Sequence, residues 1–427
     1  MGKLKALKEH YQIHGFKKTC KKVLYRLTKD MYAEDHSKRR FKETYGLIMA
    51  LDTTSEQYKA NFDLLNKWRE KDVEIKTINW FLPRFNHVLY GGIFTIFRFA
   101  DYFHKKGIQN RFIMYDDPFL SEEKIREAIK VGFPSLAENS KVIIYQNNLD
   151  EMPECDATIS TFWTSAFFSM KFNKTKRKFY FIQDYEPLFS SANTTYAMTE
   201  MTYRFGFDGI INTPGLKDYL DQKHDMRTKS FIPSTDRSFY NIDEQRLLEK
   251  LKKDTVKIVT YGRPQHDRNA FELAMASLQK VKEKYGDRVE IVSVGAEWKE
   301  EDYGVQGIVK NLGRLNSIEA VSELYRECDI GLVFMFTPHP SYQPFEYMSC
   351  GCAVVTNYNP PTFWYLKDRI NAQLVEPMPG LIAEGISELI DNPEYREKLV
   401  REGINELSKH NWDTQCESIY QFIQNPS

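Results

Sequence analysis

Short apolar runs alternate with segments of helical spacing over most of the chain, and this alternation is what most constrains its fold. From Glu74 onward the runs are rich in β-branched and aromatic residues, and they cover 75–82, 110–115, 141–146, 157–160, 178–184 and 208–213. The intervening segments, such as 93–106 and 122–133, are long enough to form helices that cross from one strand to the next. This order predicts a parallel sheet with crossover helices.

A second series of the same kind follows a polar, charged segment at 235–254, which is predicted to be a linker. Its strands are predicted at 256–262, 289–295, 329–336 and 353–357, and a last amphipathic helix at 412–424. The sequence therefore predicts two doubly wound, Rossmann-like α/β domains that face a central cleft, behind a helical N-terminal extension. The predicted bounds are 1–73 for the extension, 74–235 with 412–427 for the first domain, and 254–411 for the second.

Charge and composition exclude several classes of protein. The 427 residues include 59 lysine and arginine and 59 aspartate and glutamate residues, so the formal net charge is zero. A nucleic-acid-binding protein normally has a basic excess, so no nucleic-acid partner is expected. No apolar run reaches the roughly 18 residues of a membrane-spanning helix, and the N-terminus lacks the apolar core of a secretory signal. With six cysteines that have neither zinc-ligand nor disulfide-framework spacing, the sequence predicts a cytoplasmic protein.

The first 30 residues differ from the rest in charge. They contain nine lysine or arginine residues and two acidic residues, a net charge of +7, with Val23, Leu24 and Leu27 among the apolar positions. A basic amphipathic segment of this kind binds anionic membranes, which would place the protein at the inner membrane face. The alternative is a solvated helical face, which the thin apolar stripe and the interruption at Gly15 favour.

Two glycine–arginine turns occupy matching positions in the second domain. Gly262 and Arg263 follow its first predicted strand, and Arg314 precedes a helix that Ser317 is predicted to cap. Ligands of open α/β sheets bind at the carboxyl ends of the strands, where a glycine allows close approach of the backbone. Because guanidinium groups bind phosphate oxygens bidentately, the turns predict a diphosphate site. For either turn alone, a solvated loop is the alternative.

The proline-rich loop at 337–346 follows a buried strand and opens a short helix near Gln343. Free N–H groups at the start of a helix favour anions such as a diphosphate. Glu346 lies one turn inside this helix, where a carboxylate can accept hydrogen bonds from ribose hydroxyl groups. The apolar flanking segments distinguish this loop from a plain surface connection, so it predicts a nucleotide site.

The stretch 341–355 resembles the donor-binding signature of family 4 glycosyltransferases, in which a glutamate precedes a helix-to-strand segment of the form xMxxGxxVV. Glu346 matches the second of the two glutamates in that signature. Pro338 stands in the place of the first, so a mechanism that needs the first carboxylate does not transfer to this chain.

The loop 338–346 is also similar to that of the WsaF-type family of dTDP-rhamnose-dependent rhamnosyltransferases. First-domain segments that share this similarity are 80–83, 91–92 and 181–187. The resemblance covers roughly residues 74–424. It implies the GT-B fold, in which the last helix crosses back onto the first domain.

The resemblance also implies which residues bind the donor. They are Gly91, Gly92, Gly262, Arg263, Arg314, Ser341, Tyr342 and Glu346. The arginines would bind the diphosphate or nucleotide, Glu346 the ribose, and Ser341 and Tyr342 would line the phosphate loop, while the glycine pair belongs to the loop that closes over the transferred sugar. No metal or other cofactor is expected, because two arginines and a helix start neutralise the departing diphosphate.

No residue in the sequence is a clear nucleophile, and the catalytic candidates are His339 and Asp184. His339 adjoins the position of the missing glutamate and is a candidate contact to the sugar, with a loop histidine of no catalytic part as the alternative. Asp184 and Glu186 form an acid-x-acid pair, which in the GT-A fold holds a divalent cation. The second α/β domain favours instead an acceptor-side loop, in which Asp184 orients an acceptor hydroxyl group or Glu186 caps a turn before Pro187. Weaker candidates are Trp163, for stacking on an acceptor sugar, and Asn147, Asn148 and His87.

These features imply a glycosyltransferase of cell-surface polysaccharide assembly. The implied reaction transfers L-rhamnose from dTDP-β-L-rhamnose to a glycan acceptor with retention of configuration. The acceptor is either a free glycan or a glycan linked to a lipid. One alternative is a transferase that uses a UDP- or GDP-sugar. Another is a non-catalytic, sugar-nucleotide-binding scaffold that kept the fold.

Overall fold

The computed structural model describes residues 37–89 and 91–425, in two compact units that divide between Thr54 and Ser55. In the described part of the first unit, helix α1 covers residues 37–51. The predicted membrane-binding segment 1–30 lies outside the described residues. None of the described helices is long and apolar enough to cross a membrane.

Within the described residues, the second unit is built on two parallel β-sheets. The strands of the first sheet have the order β3-β2-β1-β4-β5-β6-β7. In chain order they are β1 (Thr77–Leu82), β2 (Gln109–Met114), β3 (Lys141–Ile144), β4 (Ala157–Ser160), β5 (Arg177–Ile182), β6 (Asp208–Asn212) and β7 (Thr228–Phe231). Trp80 of β1 lies opposite Phe112 of β2 and Ile159 of β4, so the centre of this sheet is a row of buried apolar residues.

The second sheet has the order β10-β9-β8-β11-β12-β13. Its strands are β8 (Val256–Gly262), β9 (Val289–Gly295), β10 (Lys310–Asn311), β11 (Ile330–Leu332), β12 (Ala353–Asn357) and β13 (Gln373–Val375). In both sheets the order reverses direction beside the first strand, which is the topological switch point where ligands of doubly wound sheets bind.

Helices connect these strands and cover the faces of the sheets. After α1 they are α2 (Ser55–Arg69), α3 (Gly91–Lys105), α4 (Glu122–Gly132), α5 (Pro134–Asn139), α6 (Trp163–Lys171), α7 (Thr194–Thr202), α8 (Pro214–Asp221), α9 (Glu244–Leu251), α10 (Phe271–Tyr285), α11 (Glu300–Tyr303), α12 (Ile318–Glu327), α13 (Gln343–Ser349), α14 (Pro379–Asp391), α15 (Pro393–Ser408) and α16 (Trp412–Gln424). The predicted pair of doubly wound α/β domains is confirmed. We call the layers around the first sheet the first domain and those around the second sheet the second domain.

Local sequence signals explain where several helices begin. The Ser317 hydroxyl accepts a hydrogen bond from the N–H of Ala320 at 3.1 Å, which is the predicted N-cap of α12. Pro214 occupies the first turn of α8, where its missing N–H costs nothing.

The core of the first domain is rich in aromatic rings, and helix α16 belongs to it. The ring of Phe422 packs edge-on against Phe179 with centroids 6.1 Å apart. The Gln424 side chain accepts from the N–H of Ile75 and donates to its carbonyl, both at 2.9 Å. The chain therefore returns to the first domain after completing the second.

Two segments pack differently from the sequence prediction. The segment 235–254, predicted as a linker, contains helix α9, whose Leu247 is buried in the core of the second domain. Helix α2, predicted as part of the extension, belongs to the second unit. Its buried Asn61 donates to the carbonyl of Phe205 at 2.9 Å and accepts from Lys178 Nζ at 3.0 Å, so it is fixed to the first domain.

The main chains of the two domains come into close contact at Gly215. Gly215 in the first turn of α8 lies against Pro361, which is in a short 3-10 turn after β12. A Cβ atom at position 215 would overlap the carbonyl oxygen of Pro361. Only glycine allows this close approach without moving one of the two chains.

Candidate active site

A cavity of about 780 Å³ lies between the two domains, at the carboxyl ends of strands from both sheets. We call its two sides the first-domain wall and the second-domain wall. The first-domain wall includes Thr161, Phe162, Asp184, Glu186 and Phe189. The second-domain wall includes Arg263, Arg314, His339, Ser341 and Glu346. The predicted central cleft is therefore present, and it has the size of a typical ligand site.

Arg263 follows β8 directly and reaches the cavity. Its guanidinium group lies over the ring of Tyr261, 5.5 Å from the centroid, and hydrogen-bonds with the Nε2 atom of His266. Burial, together with the charge of Arg263, lowers the pKa of His266, so that imidazole is neutral at pH 7. Of these two side chains, Arg263 therefore provides the positive charge at this strand end.

Gly262 does not line the cavity. A packing contact with the neighbouring strand explains why this position is a glycine. A Cβ atom at this position would overlap Ser293 Oγ on the neighbouring strand β9. The Gly262 carbonyl accepts from Trp298 Nε1 at 3.2 Å. Packing between strands therefore requires a glycine at position 262.

Arg314 lies in the loop between β10 and α12 and spans the cleft. Its Nη2 atom is 2.5 Å from Nε2 of His87, a residue of the first domain. Burial and the positive charge of Arg314 lower the pKa of His87, so the imidazole accepts this hydrogen bond in its neutral form. The structure thus brings a strong sequence candidate and a weak one into direct contact.

The loop before α13 joins the two domains through Tyr342. The Tyr342 hydroxyl is 2.8 Å from Thr95 Oγ1 on α3 and accepts from Asn212 Nδ2 at 3.0 Å at the end of β6. Ser341 also lines the cavity. Helix α13 begins at Gln343 as predicted, but Pro344 removes one N–H donor from its first turn. Arginine side chains, more than this helix start, are therefore the available donors for an anion.

His339 is half-buried among loop residues of the second-domain wall. Its Nδ1 atom has no hydrogen-bond partner among the described residues, while the ring also hydrogen-bonds with the backbone of Asn212. Burial lowers its pKa to about 3. The imidazole is therefore neutral throughout the physiological range and is not a general acid at neutral pH.

Glu346 lines the cavity from the first turn of α13. Burial raises its pKa to about 7, and a hydrogen bond with Tyr240 partly opposes this shift. The carboxyl group therefore exchanges its proton near neutrality, where small changes in its surroundings alter its charge.

The glycine pair Gly91 and Gly92 starts helix α3 and lines the cavity. Gly91 has φ +57°, in the left-handed region that favours glycine. A Cβ atom at Gly92 would lie 2.7 Å from Gln183 Nε2, which donates to the Gly92 carbonyl at 3.1 Å. Backbone geometry thus favours glycine at position 91, whereas a side chain at position 92 would displace the end of the Gln183 side chain.

Asp184 is buried in the first-domain wall and forms an ion pair across the cleft. Its Oδ2 atom accepts from Arg268 Nη1 of the second domain at 2.9 Å, and its Oδ1 atom accepts from the N–H of Tyr185 at 2.8 Å. Burial raises the pKa of Asp184 to about 6, against the opposing charge of Arg268. At neutral pH it is therefore mainly a carboxylate, held by an arginine.

Glu186 lies two residues further on and has different partners. Its Oε2 atom accepts from the N–H of Trp163 at 2.7 Å and from the Tyr180 hydroxyl at 3.0 Å. Burial raises its pKa to about 8. Its predicted role as a cap for the turn before Pro187 is wrong, because the carboxyl group caps the start of helix α6 instead.

The described residues contain no group of three or more histidine, cysteine, aspartate or glutamate side chains arranged to hold a metal ion. Asp184 and Glu186 direct their oxygens at separate partners. The predicted stacking of Trp163 on an acceptor is not supported, because its buried ring packs against Phe162 and Phe167 and does not line the cavity. Asn147 and Asn148 also lie outside the lining, and Asn148 instead caps a short 3-10 turn.

Comparison with known proteins places this geometry in a family. The model of the WsaF N-terminal domain matches residues 77–213, and that of the WsaF C-terminal domain matches residues 256–387. Together they cover more than half of the chain. The chain belongs to the WsaF family. A curated relative, the O-antigen biosynthesis protein RfbC of Myxococcus xanthus, is 38% identical over 352 residues. These are 82% of this chain but 27% of RfbC, so the chain spans about a quarter of that relative.

Solved structures with the same fold confirm that this WsaF-family protein has the GT-B architecture. HepE of Anabaena, in complex with UDP and glucose, has a TM-score of 0.63 at 15% identity, covering 82% of this chain and 99% of HepE. WaaG, a glycosyltransferase involved in lipopolysaccharide biosynthesis, has a TM-score of 0.58 at 15% identity, covering 81% and 99%. The GT-A alternative considered for Asp184 and Glu186 is thereby excluded.

The WsaF-family structure also shows cavity residues that sequence reasoning missed. Arg98 of α3 lines the cavity, pairs with Asp236 at 3.5 Å and lies 4.9 Å from the ring centroid of Trp412. Arg268 follows β8 in the same loop as Arg263, and its guanidinium group lies 3.8 Å from the ring centroid of Phe189. Two signals in the sequence could have identified these residues. One is an arginine within the apolar face of α3, and the other is a second arginine after the end of β8.

Proposed function

We propose that this protein is a glycosyltransferase that transfers L-rhamnose from dTDP-β-L-rhamnose to a glycan acceptor in cell-surface polysaccharide assembly. The observation that carries the proposal is the second-domain wall, where Arg263, Arg314 and Glu346 face one interdomain cavity. The arginines suit a diphosphate, and the carboxyl group suits the hydroxyl groups of a ribose. Membership of the WsaF family supports the same donor class.

Catalysis in this proposal rests on electrostatic stabilisation of the departing diphosphate. Negative charge grows on the oxygen that leaves the anomeric carbon, and Arg263 and Arg314 are held where they can neutralise it. Asp184 does not serve as the nucleophile, because it pairs with Arg268, and His339, a neutral imidazole, does not protonate the leaving group. The proposed outcome is retention of configuration, with attack on the same face that the diphosphate leaves.

The proposal requires no metal, which a chelator tests directly. Sugar transfer should continue in EDTA at a rate within about twofold of the untreated enzyme, since the arginines provide the positive charge. A loss of transfer that Mn²⁺ restores would contradict the proposal and would make Asp184 and Glu186 the residues to examine as ligands.

The choice of nucleotide is the step that most needs measurement. HepE, which shares the fold, is described in complex with UDP-glucose, so UDP is the first alternative to dTDP, with GDP next. Calorimetry with dTDP, UDP and GDP should give the strongest binding for dTDP. Stronger binding of UDP or GDP would keep the glycosyltransferase proposal and replace its donor.

A non-catalytic scaffold would bind the same nucleotides, so binding does not distinguish it from an enzyme. Incubation with the preferred donor and a polyrhamnose or lipid-linked acceptor should release nucleoside diphosphate, together with a lengthened glycan. Binding without turnover would favour the scaffold. The relative RfbC, described as an O-antigen biosynthesis protein, supports an acceptor of the polysaccharide class.

A further inference from the structure

The carboxyl group of Glu186 has one oxygen that the protein does not use. Glu186 is 5% exposed and lines the cavity. Both of its side-chain hydrogen bonds, from the Trp163 N–H and the Tyr180 hydroxyl, fall on Oε2. Within the described part of the chain, Oε1 accepts no hydrogen bond, although the residue borders an interdomain space of about 780 Å³. Oε1 is not one of the enclosed polar atoms that lack a partner, so it is accessible from this space.

The neighbouring carboxyl group shows that this arrangement is particular to Glu186. Both oxygens of Asp184 accept hydrogen bonds, one from Tyr185 and one from Arg268. Arg268 reaches Asp184 from the second domain and is paired with it, and Arg98 of the first domain pairs with Asp236. Glu186 therefore has no cation of its own in a wall that also contains the rings of Phe162 and Phe189.

The surroundings of Glu186 favour its neutral form. The groups that face it are Asp184, Arg268, Tyr180 and the hydroxyl of Tyr203, which accepts from the Glu186 N–H at 3.2 Å. Burial raises its pKa to about 8, and the nearby Asp184 adds to this shift. Because Oε2 already accepts two hydrogen bonds, the proton of the neutral acid resides on Oε1 and is available to the cavity.

We propose that Glu186 is a specificity residue for the acceptor, and that its Oε1 atom donates a hydrogen bond to an oxygen that can only accept, the ring or glycosidic oxygen of the acceptor sugar. This inference rests on the proposed glycosyltransferase function. The ligand it selects is uncharged and hydroxylated, because an anion would lie beside the carboxylate of Asp184. The aromatic rings of the same wall suit the apolar face of a pyranose.

Glutamine at position 186 provides a sharp test, because its amide copies the neutral acid. In Glu186→Gln the amide oxygen can accept from Trp163 and Tyr180, and the amide nitrogen can donate into the cavity at any pH. Glu186→Leu has no donor. Glu200→Gln is the matched control, since Glu200 hydrogen-bonds with Tyr185 but lies outside the cavity lining.

Transfer from dTDP-rhamnose, UDP-glucose and GDP-mannose to 4-nitrophenyl α-L-rhamnoside is measured for each protein between pH 6.5 and 9.5. For the wild type and Glu200→Gln, the acceptor KM should rise about fivefold to tenfold above pH 8, the scale of one lost hydrogen bond. For Glu186→Gln, the acceptor KM should stay at the wild-type pH 7 value over the whole pH range. For Glu186→Leu, the acceptor KM should exceed that value at every pH. The donor KM should be the same in all four proteins.

Three outcomes would overturn the inference. Glu186→Gln that follows the wild-type pH profile, or Glu186→Leu with an unchanged acceptor KM, would overturn it while leaving the proposed function intact. No product from the wild type with any of the three donors would overturn both. Thermal unfolding provides a second measurement: the stability of Glu186→Gln relative to the wild type should grow as pH rises from 5 to 8, because the acid stays protonated in the folded state while it ionises in the unfolded chain.

Discussion

The two walls of the cavity differ in charge although they come from domains of the same architecture. The second-domain wall presents Arg263 and Arg314 beside Glu346, whereas the first-domain wall presents Asp184 and Glu186 among aromatic rings. A cationic wall matches a nucleoside diphosphate, and an acidic, aromatic wall matches a neutral sugar. Under the proposed function, the difference teaches that loops at the strand ends, and not the repeated fold, would distinguish the donor from the acceptor.

Removing an arginine from the second-domain wall should have the largest effect on this comparison. In Arg263→Ala or Arg314→Ala, we expect dTDP affinity to fall by about 1.5–3 kcal/mol, the scale of a hydrogen bond to a charged group. This corresponds to roughly a tenfold to 150-fold increase in Kd, which calorimetry measures.

Arg288→Ala is the control for these variants. Arg288 lies in the same domain, over the ring of Tyr285, and is absent from the cavity lining. Its loss should leave the Kd for dTDP unchanged. Wild-type affinity in both cavity variants would remove Arg263 and Arg314 from the donor site.

The charge of Glu346 should make donor binding depend on pH. Its pKa of about 7 means that the carboxyl group is neutral at pH 6 and ionised at pH 8. Since a carboxylate accepts hydrogen bonds from ribose hydroxyl groups more strongly than the acid does, dTDP affinity should rise about fivefold across this range. In Glu346→Gln this rise should disappear.

Glu319→Gln, an exposed residue in the first turn of α12, is the control for the Glu346 experiment. It should keep the wild-type pH dependence, measured by calorimetry at pH 6, 7 and 8. If the dTDP affinity of Glu346→Gln depends on pH as it does in the wild type, the group that titrates is not Glu346.

Contact between the walls should weaken when the Tyr342 hydroxyl is removed. Tyr342→Phe loses the hydrogen bonds with Thr95 and Asn212, so the free energy of unfolding should fall by about 1 kcal/mol. The ligand-free radius of gyration in small-angle scattering should increase. In the control Tyr365→Phe, whose hydroxyl lies 4.0 Å from Met335 Sδ within the second domain, the radius should not change. An equal radius in both variants would contradict this role for Tyr342.

Deletion of residues 1–30 should have the smallest effect on either wall. We expect dTDP affinity to be unchanged, while sedimentation with anionic vesicles at low salt is lost, because each basic residue near an anionic surface contributes about 1 kcal/mol. Vesicles of neutral phosphatidylcholine are the control and should bind neither protein. If the full-length chain ignores anionic vesicles, the segment is a solvated extension.

Much of the fold could be predicted because its signals are local. The strands of the sheet centres are apolar runs buried on both faces, and Ser317 and Pro214 mark helix starts within a few residues. Short edge strands such as β7 and β10 have mixed exposure and no apolar pattern to identify them. Helix α9 was missed because its charged residues concealed an apolar face that includes Leu247.

The second-domain wall could be predicted in part, because a strand end followed by an arginine is a local pattern. The pairings across the cleft could not. Asp184 and Arg268 are 84 residues apart in sequence, and only the folded arrangement shows that Asp184 is occupied while Glu186 retains an unused oxygen. Trp163 illustrates the converse, since an aromatic residue at a strand end is as compatible with packing as with binding.

The contact between Gly215 and Pro361 has a mechanical consequence. Two main chains that are already in contact cannot approach further, so Gly215 and Pro361 set the smallest distance between the two domains at this point. The absence of a side chain at position 215 thus allows the domains to come as close as they do here. Any larger residue would hold the two walls farther apart, because its first carbon would occupy the space of the Pro361 carbonyl oxygen.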